Sequence, residues 1–110
     1  MDSKPGAARF DPAPDGSPVL EVHGEIDVAA AGEFSDALTA LIDTGAPLIV
    51  VDLAGVGFID SSGLGALVVA SQHAETTGAA LTVRNAEGAV RRVFEVTGLL
   101  DTFGIDSPQS

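Results

Sequence analysis

The sequence predicts a small α/β domain with a mixed, mostly parallel sheet of about four to five strands and three or so helices. Short aliphatic runs alternate along the chain with longer segments in which apolar residues recur at helical spacing. Of the 110 residues, 45% are hydrophobic, five are Phe and none is Trp or Tyr, so we expect an aliphatic core. A chain of this length forms one domain around one core.

The predicted domain occupies most of the chain. Residues 1–6 are polar and contain Pro and Gly, so we expect a flexible N-terminus. Residues 7–105 carry all the predicted elements, and residues 106–110 form a polar C-terminal tail. The sequence lacks cysteine, a signal peptide and any run near the ~18 apolar residues of a membrane span. These features predict a cytosolic protein without disulfides.

Turn residues and periodicity predict the elements of the first half. Strands over 7–11 and 19–24 flank a stretch rich in Pro, Asp and Gly, so they should form a hairpin. Asp27 is a suitable N-cap for an amphipathic helix over 28–44. The nearly all-aliphatic run over 48–53 predicts a strand covered on both faces.

The second half continues the alternation of helix and strand. We predict a helix over 62–77, a strand over 81–84, a third helix that Asn85 caps and Gly98 ends, and a last short strand over 102–105. The predicted order is therefore β-β-α-β-α-β-α-β. Parallel strands joined in this way need right-handed crossovers.

The residues of functional interest lie between the central strand and the second helix. Asp60, Ser61 and Ser62 are followed there by Gly63 and Gly65. The first N–H groups of a helix lack partners within it, and together with the helix dipole they favour anions. Ser62 is the predicted N-cap, with Ser61 just outside the helix. From these residues alone, Ser61 is better explained as an ordinary loop serine than as a phosphate acceptor.

The composition argues against several classes of function. Five Lys and Arg against sixteen Asp and Glu give a net charge of −11, so nucleic acid and anionic membranes are poor partners. The charge suits solubility or a partner with a basic face. Neither His23 nor His73 is placed to activate Ser61. Metal-ligand spacing and a phosphate-binding loop are also missing, so we predict neither catalysis nor a metal or cofactor site.

Three segments of the chain resemble the STAS family (sulfate transporter and anti-sigma factor antagonist), and within it the bacterial anti-sigma factor antagonists. Residues 24–27 read Gly-Glu-Ile-Asp, as at the end of the family's second strand. Residues 51–65 resemble the central strand and the phosphorylation signature, with Asp-Ser-Ser-Gly-Leu-Gly at 60–65. Residues 91–99 resemble the last helix. With the matching element order, the likeness covers residues 7–105.

The resemblance implies a partner-switching mechanism. An unphosphorylated antagonist binds an anti-sigma factor that is also an ATP-dependent serine kinase, and this frees the sigma factor. The kinase phosphorylates the serine directly after the motif's Asp, here Ser61, and a separate serine phosphatase restores the antagonist. ATP and Mg²⁺ belong to the kinase, so no cofactor is implied here, and Ser62 is given a structural role. The implied partner-binding residues are Glu25, Asp27, Asp60, Ser61, Ser62, Gly63 and Leu64.

Other functions within the same fold stay open. A stand-alone STAS regulatory subunit of a membrane transport complex is the principal alternative, and the serine after Asp60 favours the sigma pathway over it. A scaffold of a stress-sensing assembly is less suitable because such members carry further sensory domains. Small-molecule or nucleotide binding is the weakest interpretation, because no cradle for such a ligand is visible in the sequence.

Overall fold

Residues 8–105 are the part of the chain that the computed structural model describes, and they form seven elements in the order β-β-α-β-α-β-α. The predictions for residues 1–6 and 106–110 fall outside the described residues. The strands are β1 Arg9–Pro12, β2 Val19–Ile26, β3 Leu48–Ile59 and β4 Ala80–Arg84. The helices are α1 Val28–Ile42, α2 Ser61–Thr76 and α3 Gly88–Val96.

The four strands form one sheet in the order β1-β2-β3-β4. β1 is antiparallel to β2, as the predicted hairpin requires, whereas β2 pairs with β3 and β3 with β4 in parallel. The helices α1 and α2 are the two crossovers between the parallel strands, and they pack against each other. The predicted α/β class with a mixed, mostly parallel sheet is confirmed.

The first crossover helix forms as its sequence predicts. Asp27 is the N-cap of α1, and Phe34, Leu38 and Ile42 recur at i, i+4 and i+8 on its buried face. Phe10 of β1 stacks on Phe34, with the ring centroids 5.5 Å apart. The hairpin strand and the first helix therefore close over one side of the core.

The central strand is longer than predicted, because it runs from Leu48 to Ile59 rather than ending at Leu53. Its second half pairs with the end of β2, which continues past Gly24 to Ile26. The register shifts near Gly55, where a Cβ atom would collide with the imidazole ring of His23. Gly55 and Gly57 are therefore part of an irregular strand, and Gly55 is needed for the close approach of β3 to β2.

The sheet has one fully covered face, so the prediction that β3 is covered on both faces is wrong. Ile49, Val51 and Leu53 are buried, while the alternate residues Val50 and Asp52 are half-buried. Right-handed crossovers place α1 and α2 on the same side of the sheet, which explains the difference. By register, the other face carries the charged or polar residues Arg9, Asp11, Glu21, His23, Asp52 and Arg84.

The predicted last strand is wrong as a strand, because residues 101–104 form turns. Its backbone nevertheless reaches the outer edge of β4, where the Phe103 carbonyl accepts the Val83 N–H at 2.8 Å and the Thr82 hydroxyl at 2.8 Å. The Phe103 ring is buried edge-on against Phe94, with centroids 5.8 Å apart. Burial of this ring, together with the two hydrogen bonds to β4, holds the segment in place without a regular strand ladder.

The third helix begins later than predicted, and Asn85 does not cap it. Glu87 is the N-cap of α3, and its side chain makes no cap hydrogen bond. Asn85 instead has a left-handed backbone, with φ of 62°, and its Nδ2 donates to Asp52 Oδ1 at 3.1 Å. The side chain therefore ties the end of β4 to β3. Gly98, with φ of 75°, follows the end of α3 as predicted.

Candidate functional site

The candidate site lies where β2 and β3 end next to each other. Ile26 and Ile59 are register partners, and the Asp60 N–H donates to the Ile26 carbonyl at 3.2 Å. Asp27 and Asp60 follow these two residues directly and each begins a helix. The sheet thus places two acidic helix N-termini side by side at one edge.

Asp60 is the N-cap of α2, so the prediction that Ser62 caps this helix is wrong. The Asp60 backbone is extended, with φ of −110° and ψ of −172°, and its Oδ1 accepts the N–H groups of Ser62 at 2.9 Å and Gly63 at 3.2 Å. The side chain at the last extended residue is the one that reaches these N–H groups. Two donors that we expected to be open to an anion are therefore already used.

Ser61 is the first residue of α2 rather than a residue outside it. It is exposed, and within residues 8–105 its hydroxyl makes no hydrogen bond. Ser62 is half-buried at the second helical position. The structure therefore separates the two serines by exposure, and the more accessible hydroxyl is that of Ser61.

Gly63 and Leu64 fix α2 on the strand ends. A Cβ at Gly63 would lie 2.6 Å from Ile26 Cγ2 and 2.8 Å from Ile59 Cγ1, so only glycine fits without movement. Leu64 is 6% exposed and belongs to the core. Their predicted part in partner binding stays a prediction. Because both are buried, any such part consists of positioning Ser61 rather than offering a surface.

Asp27 repeats the geometry of Asp60 at the neighbouring helix. Its Oδ1 accepts the N–H groups of Ala29 and Ala30, each at 3.1 Å. Glu25, two residues earlier, is exposed and is the register partner of Phe58. The predicted contacts of Glu25 and Asp27 with a partner stay predictions, but both residues lie at the same edge of the sheet as Ser61.

The carboxyl ends of β2 and β3, which carry Asp27 and Asp60, have no Lys or Arg nearby in the sequence. The five Lys and Arg residues of the chain all lie outside residues 10–83, which hold both crossover helices and the whole edge. Carboxylates at Asp27 and Asp60 offset the positive ends of the two helix dipoles. The carboxylates of Asp27 and Asp60 and the exposed Ser61 hydroxyl therefore lie at the same edge.

The two histidines have partners away from Ser61. His73 Nε2 lies 3.3 Å from Asp43 Oδ1 at the C-cap of α1. His73 is about 18 Å along α2 from Ser61 at 1.5 Å per residue. His23 packs over Gly55 and lies 3.7 Å from Asp11.

Residues 8–105 contain no group of three or more side chains that could together hold a metal ion. No helix among these residues is long and apolar enough to cross a membrane.

A second polar cluster, which the sequence did not predict, surrounds Asp52. Its carboxylate accepts the Ala54 N–H at 2.9 Å, Asn85 Nδ2 at 3.1 Å and Arg84 Nε at 3.1 Å. Burial opposes its ionisation, but these hydrogen bonds and the charge of Arg84 together hold the pKa of Asp52 below its ordinary value. The cluster is structural, because it ties β3 to β4 and holds the left-handed Asn85.

Comparison with known proteins identifies the family of this chain. The family model described as "Mlab, STAS domain" matches residues 11–104. The chain belongs to the STAS family. The anti-sigma-B factor antagonist of Bacillus subtilis (strain 168) is 33% identical over 88 residues, 80% of each chain. That of Staphylococcus aureus (strain NCTC 8325 / PS 47) is 31% identical over 87 residues, 79% of this chain and 81% of the relative.

A solved structure supports the same assignment. The crystal structure of an anti-sigma factor antagonist from Mycobacterium paratuberculosis has a TM-score of 0.81 and 30% sequence identity, covering 94% of this chain and 88% of that one. The STAS resemblance drawn from the residues is therefore confirmed. The roles of individual STAS residues in this chain, Ser61 included, stay predictions.

Proposed function

We propose that this STAS protein is an anti-sigma factor antagonist that binds a serine-kinase anti-sigma factor while it is unphosphorylated and so frees the sigma factor. The observation that carries the proposal is the exposed Ser61 hydroxyl at the start of α2, directly after the capping Asp60. The names of relatives 31–33% identical to this chain support the antagonist role. A cytosolic location belongs to the same proposal, because the partner has to reach a sigma factor.

Phosphorylation of Ser61 is the proposed off-switch. A phosphate brings about −1.5 to −2 charges and three acceptor oxygens. Ser61 is exposed, so the group fits without unfolding α2, and the cap bonds from Asp60 to Ser62 and Gly63 need not break. A docked partner meets a bulky dianion next to existing carboxylates. Binding is therefore lost while the fold is kept, and a phosphatase reverses the change.

Phosphotransfer tests the proposal directly. The protein is mixed with each kinase-type anti-sigma factor of the source organism and Mg-ATP, and the modified residue is located by mass spectrometry. We expect one phosphate on Ser61, none in Ser61→Ala, and normal modification of Ser62→Ala. Phosphate on Ser62 in the wild type would contradict the assignment of the switch.

Complex formation tests the antagonist role separately from the modification. With ADP in place of ATP, we expect the wild type and Ser61→Ala to bind the anti-sigma factor and Ser61→Asp to bind at least tenfold more weakly. If the wild type binds none of these kinases, the proposal fails. Copurification with a permease complex instead would support the transport-subunit alternative.

A further inference from the structure

The two edges of the sheet differ in what covers them. At the β4 edge, the Phe103 carbonyl accepts the Val83 N–H at 2.8 Å, so part of that edge is already paired. β1 forms the opposite edge, and within residues 8–105 it pairs only with β2. An edge strand presents a row of unpaired N–H and C=O groups that another strand can extend. The β1 edge is therefore a candidate site for pairing with a further strand.

The register shows which residues of β1 have their backbone groups at this open edge. In an antiparallel pair, residues that bond to the neighbouring strand alternate with residues whose N–H and C=O groups point away from it. The Ala13 N–H donates to the Val19 carbonyl at 3.1 Å, and this pair continues the register between β1 and β2. Asp11 and Arg9, two and four residues earlier, therefore bond to β2. The N–H and C=O groups of Phe10 point to the open edge.

The sequence of β1 is self-complementary about Phe10. If a second copy pairs antiparallel with the two Phe10 residues opposite each other, Arg9 of each copy lies opposite Asp11 of the other. The Phe10 residues then exchange two backbone hydrogen bonds, and the Ala8 N–H of each copy can donate to the Pro12 carbonyl of the other. Arg9 and Asp11 fall at positions without backbone bonds, where side chains on paired strands approach most closely.

The charges on β1 and β2 favour this pairing. Arg9 Nε and Asp11 Oδ2 lie 2.9 Å apart within one chain, and their side chains are 66% and 43% exposed. Asp11 is also the register partner of Glu21. An arginine from a second copy would therefore approach two neighbouring carboxylates. Charges on an edge strand usually oppose further pairing, but opposite charges directly across from each other stabilise it.

We propose that β1 mediates antiparallel self-association of this protein, which joins two four-stranded sheets into one sheet of eight strands. Because β2 is antiparallel to β1, the carboxyl ends of β2 in the two copies point in opposite directions. Each Ser61 then lies at its own end of the joined sheet, so the dimer leaves both proposed partner sites free. Residues 8–12 of each copy make only a small contact, so the dimer should be weak and depend on protein concentration.

Reversal of one charge at a time tests the register of the dimer. Sedimentation velocity is measured up to ~1 mM protein, where weak contacts are populated. We expect the wild type to dimerise with rising concentration, and Arg9→Asp and Asp11→Arg each to weaken the dimer at least tenfold, because like charges then face each other. An equimolar mixture of these two variants should dimerise as the wild type does, since opposite charges again face each other. The exposed Arg92 provides the control, because Arg92→Asp changes the net charge equally and should leave the dimer unchanged.

Hydrogen exchange at the Phe10 amide tests the same contact in the unaltered protein. Its N–H should become protected as the protein concentration rises, in parallel with the dimer. Protection at every concentration would show that another part of the same chain covers the edge, and would contradict the proposal. So would a wild type that stays monomeric, or a mixture of the two β1 variants that stays monomeric while circular dichroism shows both to be folded.

Discussion

The helices α1 and α2 begin side by side, and each follows an aspartate whose carboxylate accepts two backbone N–H groups of the first turn. The residues after these caps differ. Val28, Ala29 and Ala30 follow Asp27, whereas Ser61, Ser62 and Gly63 follow Asp60. The backbone geometry of the two caps is nearly the same, with φ of −105° at Asp27 and −110° at Asp60.

The difference between the two N-termini shows which residues the fold requires. Because α1 begins with valine and alanines, hydroxyl side chains are not needed to begin a helix at this edge. The two serines of α2 are therefore available for another role, and Ser61 is the exposed one. The capping aspartate is common to both helices and belongs to the scaffold.

The largest effect on stability is expected at Gly63, the third residue after the cap of α2. The corresponding residue of α1 is Ala30. A Cβ at Gly63 would lie 2.6 Å from Ile26 Cγ2 and 3.1 Å from the Ile26 carbonyl oxygen. Gly63→Ala should lower the free energy of unfolding by up to about 3 kcal/mol, because the side chain and backbone of Ile26 have to shift. Urea denaturation followed by circular dichroism measures the loss.

Gly65→Ala is the matched control for that substitution. Gly65 lies two residues further along the same helix and has no atom within 4 Å of a built Cβ. Alanine there should raise the free energy of unfolding by about 0.5–1 kcal/mol through helix propensity. Equal effects of Gly63→Ala and Gly65→Ala would show that close packing does not distinguish the two glycines.

Asp52 is a third carboxylate that accepts a backbone N–H group, but it does so without capping a helix. Asp52 also accepts the N–H of a residue two positions later, Ala54, but adds bonds from Arg84 and Asn85. Asp52→Ala should cost about 2 kcal/mol, because hydrogen bonds to a charged group are lost and Asn85 loses its anchor. Urea denaturation at pH 7 measures this cost.

The pH dependence of Asp52 has a defined sign. Its pKa is lowered in the folded protein, since the hydrogen bonds and Arg84 outweigh the burial that opposes ionisation. The stabilisation is therefore fully present above the unfolded pKa of about 3.9 and is lost as the pH falls through the folded value. Stability of Asp52→Asn should fall less steeply than that of the wild type below about pH 4. Parallel acid curves would contradict this role.

The N-caps Asp27 and Asp60 should contribute equally to the free energy of unfolding. Asp27→Ala and Asp60→Ala are each expected to cost about 1 kcal/mol in unfolding free energy, the usual cost of a lost N-cap. Asp27→Asn and Asp60→Asn keep a capping side chain and remove the charge, so their stability should stay near that of the wild type. Unequal losses for the two alanine variants would show that the caps differ despite their similar geometry.

The variants Asp27→Asn and Asp60→Asn also distinguish a role in stability from a role in binding the partner. If the charges of Asp27 and Asp60 face basic residues of the anti-sigma factor, both variants should bind it more weakly at low salt and less so as salt rises. Phosphotransfer to Ser61 should slow in parallel. Unchanged affinity and phosphorylation for Asp27→Asn and Asp27→Ala would remove Asp27 from the proposed partner surface.

Most of the fold could be predicted because its signals are local. The alternation of apolar runs, the Asp27 cap and the glycine after α3 are each encoded within a few residues, and each is confirmed. The length of β3 could not be predicted in this way. Its glycine-containing second half is a strand only because β2 pairs with it across the Gly55 irregularity. The segment around Phe103 likewise depends on a distant contact with Phe94.

The cap of α2 was predicted wrongly, and the functional site itself stays a prediction. Asp60, Ser61 and Ser62 are three consecutive residues whose side chains all suit helix N-termini. Which one caps depends on where the extended backbone of β3 stops, and that is set by its pairing with Ile26 of β2.

The smallest expected effect falls on Ser62, which we first expected to cap α2. Because Asp60 Oδ1 already accepts the Ser62 and Gly63 N–H groups, Ser62→Ala removes no cap bond. Its unfolding free energy should stay within about 0.5 kcal/mol of the wild type. A loss near that of Asp60→Ala in the same urea series would restore Ser62 as a capping residue. An unchanged unfolding free energy would show that both helices are capped by their aspartate alone. The exposed Ser61 hydroxyl would then be a feature of α2 that helix capping does not require.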